Sequence, residues 1–200
     1  MRRPAVFLDR DGTLIEDRGV LRDPSEVVFY PTTAQALRRL GSRYELFVIT
    51  NQRGIAEGAI TMAECERVNR HVLDVLRRAG VIIRAAYVCP HRREDGCGCI
   101  KPKPHFPQRA ALAYGLDLRR SYAVGDHPHD VELGIRMGGR GVYVLTGHGH
   151  RHRDELGVPC TIAPNIDVAA DVILRESGAA RGARSLAPHQ AEPNDSSVRG

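Results

Sequence analysis

No stretch of this 200-residue chain stays apolar over the roughly 20 residues that a membrane-crossing helix needs. The N-terminus lacks the apolar core of a secretion signal: Met1-Arg2-Arg3-Pro4 runs into a short strand pattern that meets Asp9 at once. A cytoplasmic protein that does not engage membranes is expected. Lysine is nearly missing, with Lys101 and Lys103 alone among 29 basic residues. The arginines are scattered rather than gathered into a stripe, which argues against a nucleic-acid surface. The net charge of +5 suits an anionic substrate, although an arginine-rich proteome would give the same balance. Cysteine is scarce and uneven. Of five, Cys89, Cys97 and Cys99 fall in one short segment, while Cys65 and Cys160 stand apart. That spread fits a reducing compartment better than a disulfide framework. There is no internal repeat, and the length allows one well-packed domain rather than two large ones.

The apolar runs that are present are short and separated by helical patterns. Ala5–Leu8, Leu46–Ile49, Ile82–Val88, Ser121–Val124 and Val142–Leu145 read as buried strands, with a weak sixth at Thr161-Ile162. Between them, helices are expected over Ala34–Leu40, from Thr61 to Gly80, from Pro104 to Tyr114, over Pro128–Met137 and from Asp167 to Glu176. Thr61 with Glu64 forms a capping box for the longest of these. The alternation predicts an α/β fold, a Rossmann-like doubly wound parallel sheet spanning residues 1–177. From Gly178 to Gly200 the composition turns to Ala, Gly, Ser, Pro and Asn, which reads as a disordered tail.

Such sheets bind ligands at the carboxyl ends of their strands. Asp9, Thr50 and Asp126 each follow an apolar strand directly, and Lys101 follows the loop after the third. The topology therefore gathers these four on one edge. Asp9-Arg10-Asp11-Gly12-Thr13 places two carboxylates two residues apart, followed by a glycine that lets the chain turn. Such a pair can hold a divalent cation, attack phosphorus and exchange protons. A strand-end turn rich in Asp and Gly is also an ordinary structural device. A second cluster is Cys89-Pro90-His91, then Cys97-Gly98-Cys99. Three thiolates and one imidazole suit a tetrahedral, structural Zn²⁺. Free thiols, or a strained Cys97–Cys99 bridge, are the other readings.

Phe7-Leu8-Asp9-Arg10-Asp11-Gly12-Thr13 resembles the first motif of the haloacid dehalogenase superfamily of phosphatases, and Thr50, Lys101 and Asp126 with Asp130 follow in that superfamily's order. The cysteine–histidine loop is similar to that of its zinc-loop subfamily IIIA, and the likeness runs from about Pro4 to Glu176. The resemblance implies a capless phosphatase with an open site. It implies Asp9 as nucleophile forming an aspartyl-phosphate, and Asp11 as acid and then base. Thr50, Asn51 and Lys101 would bind the phosphoryl group. Mg²⁺ would sit on Asp9, Asp126 and the backbone carbonyl of Asp11. Asp130 would orient Lys101 or a metal-bound water, or simply favour a helix N-terminus. Zn²⁺ would sit on Cys89, His91, Cys97 and Cys99 and pin Lys101 over the site.

The subfamily carries Arg-Lys-Pro after its last zinc cysteine, whereas Ile100-Lys101-Pro102 stands here. Arg53 is the candidate for the missing guanidinium, and Asp17 for contact with substrate hydroxyls. Arg53 can equally be a solvated loop arginine, and for Asp17, as for its neighbour Glu16, the solvated loop is the plainer reading. His127 and His129 either meet the leaving group or are loop histidines. His148, His150 and His152 are either a second metal site or a polar surface loop. The expected partner is a small phosphorylated metabolite acted on by a monomer, with a heptose bisphosphate first and histidinol phosphate second. A nucleic-acid 3′-end phosphatase and a non-catalytic zinc-stabilised binding module are the remaining readings.

Overall fold

The computed structural model describes residues 2–185, with side-chain environments through residue 177. Six strands form one parallel sheet: β1 (Ala5–Leu8), β2 (Glu45–Asn51), β3 (Ile83–Cys89), β4 (Tyr122–Gly125), β5 (Arg140–Val144) and β6 (Thr161–Ala163). Their order across the sheet is β3-β2-β1-β4-β5-β6. β1 is central, and the direction of winding reverses between it and β4, where such sheets hold ligands.

Five helices cover the two faces: α1 (Thr33–Gly41), α2 (Met62–Arg78), α3 (His105–Tyr114), α4 (Pro128–Arg136) and α5 (Ile166–Ser185). Side chains alternate along β1, and the two faces follow from that alternation. Val6 and Leu8 join the core beneath α1, α2 and α5, while Ala5 and Phe7 join the core beneath α3 and α4. α2 forms because Thr61 and Glu64 cap it reciprocally, at 3.2 and 2.8 Å, and because an apolar stripe of Cys65, Val68, Val72 and Leu76 faces the sheet. The aliphatic members of that stripe are fully buried, and each contributes about 1.5–3 kcal/mol. One polar residue, Asn69, also lies on that inward face.

No inserted domain interrupts the described chain. The connections from β1 to α1 and from β2 to α2 are loops, apart from a single short turn at Pro24–Glu26. The site is thus capless and bounded by loops. α5 runs on to Ser185, past the expected end of the domain at residue 177, and the rest of the expected tail, residues 186–200, lies outside the described residues. Among the described residues, no helix is long and apolar enough to cross a membrane.

Candidate active site

The tips of β1, β2 and β4 and the loop after β3 meet around a cavity of about 580 Å³. The order β2-β1-β4 sets Thr50 on one side of Asp9 and Asp126 on the other. Asp9 extends the sheet by one further bond, its N–H donating to the Val124 carbonyl at 2.9 Å. The chain then turns at Gly12, whose φ is +80°. A Cβ there would overlap the Asp126 carboxylate, so only glycine fits against it.

Asp9, Asp126 and Asp130 are all buried and offer oxygens within 4.8 Å of one another. Lys101, also buried, donates to Asp9 Oδ1 at 2.5 Å and to Asp130 Oδ1 at 2.6 Å. One ammonium against three carboxylates leaves an excess of negative charge. Burial pushes the Asp9 carboxyl well above the usual range, with Lys101 opposing and the three neighbouring aspartates adding to the rise. Burial, then the nearby Asp130, pushes Asp126 up to about 7. A hard divalent cation is the charge this donor set lacks, and carboxylate oxygens are what such a cation takes. The second oxygen of Asp130 accepts the His127 N–H at 3.2 Å, so this carboxylate both caps the start of α4 and holds Lys101. Asp126 Oδ2 accepts the His148 N–H at 2.7 Å.

The other wall is built on β2. Gln52 Nε2 donates to both Thr50 Oγ1 and Asp11 Oδ2 at 2.7 Å. Asn51 Oδ1 accepts the Lys101 N–H at 3.2 Å, and so fixes the loop that carries the lysine. Arg53 lines the cavity, but its side chain is 80% exposed and reaches only Glu57, at 3.7 Å. Asp17 lines it from the opposite loop, with Oδ2 3.5 Å from His148 Nδ1.

The loop after β3 begins with the four expected soft ligands. Cys89, Cys97 and Cys99 have their sulfurs 3.3–3.7 Å apart, and His91 Nδ1 lies 3.8 Å from Cys89 and 3.4 Å from Cys99. None is in a disulfide. Four ligands bound tetrahedrally at about 2.3 Å would stand about 3.7 Å apart. The set therefore fits zinc, and the strained bridge between Cys97 and Cys99 is not formed. Lys101 follows Cys99 by two residues, so the cluster and the cavity share one segment.

Two groups take part in the site in ways that the sequence does not assign, though both stand in segments that carry the resemblance. Arg10 is buried beneath the site and grips Asp11 at 2.7–3.1 Å. Gln52, which follows Thr50-Asn51 at the end of β2, bridges the two walls. The histidines do leave a signal, the repeated His-x-His spacing after β4 and β5, but their stacking does not follow from it. His127, His129 and His152 stack with ring centroids 4.6–4.7 Å apart, and His148 adds an edge at 5.9 Å. All four line the cavity, whereas His150 is exposed. Arg93, from the cysteine loop, bonds His129 across the rim. Nδ1 of His127 and Nδ1 of His129 are buried without a partner among the described residues. These imidazoles are not among the metal-capable groups of the described residues.

The cavity brings together a buried carboxylate beside an ammonium, a second carboxylate two residues on, and an acidic cluster that could hold a cation. This set suits attack on a phosphoryl group. The HAD-hydrolase-like family model matches residues 98–174. The chain is 30% identical over 176 residues to the D-glycero-beta-D-manno-heptose-1,7-bisphosphate 7-phosphatase of Bordetella bronchiseptica, covering 86% of this chain and 98% of that one. It is 33% identical over 173 residues to the enzyme of the same name from Pseudomonas putida, covering 86% and 97%. Its fold is similar to the crystal structure of D,D-heptose 1,7-bisphosphate phosphatase from B. bronchiseptica complexed with magnesium and phosphate, with a TM-score of 0.79 at 29% identity over 86% of this chain and 99% of that one.

Proposed function

Because the chain belongs to the haloacid dehalogenase-like phosphatases, within the branch that holds the heptose bisphosphate phosphatases, we propose that it removes the 7-phosphate of D-glycero-D-manno-heptose 1,7-bisphosphate. The observation that carries this reading is the convergence of Asp9, Asp11, Thr50, Lys101 and Asp126 on one cavity. At about 580 Å³, that cavity is of a size for a small phosphorylated metabolite.

Asp9 attacks phosphorus and forms an aspartyl-phosphate, while Asp11 gives a proton to the departing sugar oxygen. Asp11 then takes a proton from water, which attacks the same phosphorus and releases phosphate with Asp9 restored. Lys101 and Thr50 hold the equatorial oxygens, and Asp130 keeps Lys101 in place. Asp9, Asp126 and the carbonyl of Asp11 are the groups that would hold Mg²⁺, which when bound offsets the repulsion between carboxylate and phosphate. Cys89, His91, Cys97 and Cys99 would hold Zn²⁺ as a structural ion. Arg53 and Asp17 line the same cavity and are the groups offered to the non-reacting end of the sugar.

Turnover of heptose bisphosphate, histidinol phosphate, a 3′-phosphorylated oligonucleotide and p-nitrophenyl phosphate with Mg²⁺ tests the reading. The heptose bisphosphate should have the highest kcat/KM, and Asp9→Asn should abolish turnover of all four while the fold persists. A preference for histidinol phosphate or the oligonucleotide would replace the substrate assignment. Normal turnover by Asp9→Asn would remove the nucleophile.

A further inference from the structure

Arg10 stands between the two carboxylates of the first motif, and the reaction above gives it no task. It is 1% exposed. Its Nε lies 3.1 Å from both oxygens of Asp11, and its Nη2 lies 3.0 and 2.7 Å from them. Its remaining nitrogen, Nη1, donates to Asn69 Oδ1 at 2.6 Å. Asn69 projects from the inward face of α2, where every other buried residue is apolar or a thiol. Gln52 Nε2 reaches the same Asp11 carboxylate from the other wall at 2.7 Å.

A buried guanidinium is costly to place unless it is fully paired. A core needing only volume here would be served by an aliphatic side chain. What the planar fork supplies, and an ammonium does not, is a fixed plane for the carboxylate it grips. Asn69 fixes the fork in turn, from an element 59 residues away in sequence.

We propose that Arg10 is a positioning residue for Asp11: anchored on Asn69, it sets the plane of the carboxylate so that its proton meets the leaving oxygen as the P–O bond breaks. The proposal rests on the reading of Asp11 as the proton carrier. Its consequence is a dependence on the leaving group. A nitrophenolate departs without a proton, whereas a more basic oxygen needs one, and positioned acid catalysis contributes about 10²–10⁴-fold to such steps. kcat/KM includes every step through departure of the leaving group, so it reads this effect even where hydrolysis of the phosphoenzyme limits kcat.

The experiment is a series of substituted phenyl phosphates, from p-nitrophenyl to unsubstituted, measured with the full-length wild type, Arg10→Lys, Asn69→Ala and Asp11→Asn. Arg10→Lys keeps the charge and loses the fork. It should lose about tenfold or more in kcat/KM on phenyl phosphate but stay within about threefold on p-nitrophenyl phosphate. Asn69→Ala should steepen the slope in the same direction by less. A purely structural role would lower all substrates equally, with the fraction folded, and that outcome overturns the proposal. If Arg10→Lys does not fold, an unchanged slope in Asn69→Ala overturns it. A flat slope in Asp11→Asn removes the acid assignment and the proposal with it. A steep slope there with parallel losses in Arg10→Lys removes the proposal alone.

Discussion

Asp126 carries a pH signature that Asp9 shares in direction and cause. Its ordinary value is 3.8 and burial beside Asp130 pushes it up to about 7. Between those values the folded, metal-free protein holds a proton that the unfolded chain has released. Stability from this group is therefore fully present below 3.8 and is lost as pH rises through 7. His127 acts with the opposite sign. Burial pushes its imidazole from 6.5 down to about 4, so the unfolded chain binds the extra proton and stability rises over that window. The two offset each other in a plain curve of Tm against pH. The increment in Tm from added Mg²⁺ reports the carboxylates that would hold the cation, Asp126 together with Asp9, because the cation needs both unprotonated. That increment should grow as pH rises toward about 7, and Asp126→Asn should shrink both the increment and its dependence on pH. An increment independent of pH in the wild type would take Asp126 off the cation. At this scale the sequence was legible where a residue follows a strand tip, as Asp9, Thr50 and Asp126 do. It was not legible where function depends on a contact across the fold. The Arg10–Asn69 bond joins a strand tip to the middle of a helix, and neither segment reveals its partner on the other.

The loop between β3 and α3 is the element where structure and chemistry are shared. The last of its four soft ligands, which lie 3.3–3.8 Å apart, precedes Lys101 by only two residues. Arg93 on the same loop bonds His129 at the start of α4, so the loop braces both the floor and the rim of the cavity. Cys97→Ser should therefore lower Tm and also cut kcat/KM on p-nitrophenyl phosphate at temperatures where the variant is folded, because Lys101 loses its fixed position. Metal analysis of wild type purified without added zinc should find about one Zn²⁺ per chain. Fully active protein without zinc would sink this account. The spacing of these ligands was readable because thiolates and imidazole in one short segment have few other uses. The end of α5 was not. Ala, Gly and Ser after Glu176 look like a tail, yet Ala and Arg are good helix formers, and a helix already anchored by buried Ile166, Ala169, Ala170 and Ile173 extends at little cost.

For the molecule as a whole, the alternation of strands and helices left little freedom in topology, and the sheet order follows from right-handed crossovers about a central first strand. What the alternation could not specify is the charge of the cavity mouth. The absent cap leaves selectivity to the loops, and the loops supply three exposed arginines at the cavity: Arg53 from the turn after β2, and Arg92 and Arg93 from the cysteine loop. Ile100 stands where the subfamily has arginine, so these three are the cations that the loops offer to the non-reacting end of a substrate. The floor is acidic, Lys101 offsets part of it and a divalent cation held there would offset more, and the chain as a whole carries +5. A sugar bisphosphate carries roughly four negative charges near neutral pH, against about two for p-nitrophenyl phosphate. Attraction between solvent-exposed charges is screened over about 10 Å at 0.1 M salt. kcat/KM should therefore fall with added KCl for both substrates, and about twice as steeply on a logarithmic scale for the heptose bisphosphate. Arg53→Ala should flatten the bisphosphate slope and leave the p-nitrophenyl phosphate slope nearly unchanged, with a loss of about one to two powers of ten confined to the bisphosphate at low salt, as a charge-assisted contact of about 1.5–3 kcal/mol implies. Arg93→Ala separates the two walls: a matching loss there would set the second phosphate between β2 and the cysteine loop, and a loss from Arg53→Ala alone would set it beside β2. Equal slopes for the two substrates in the wild type would mean that the mouth does not read the second phosphate at all.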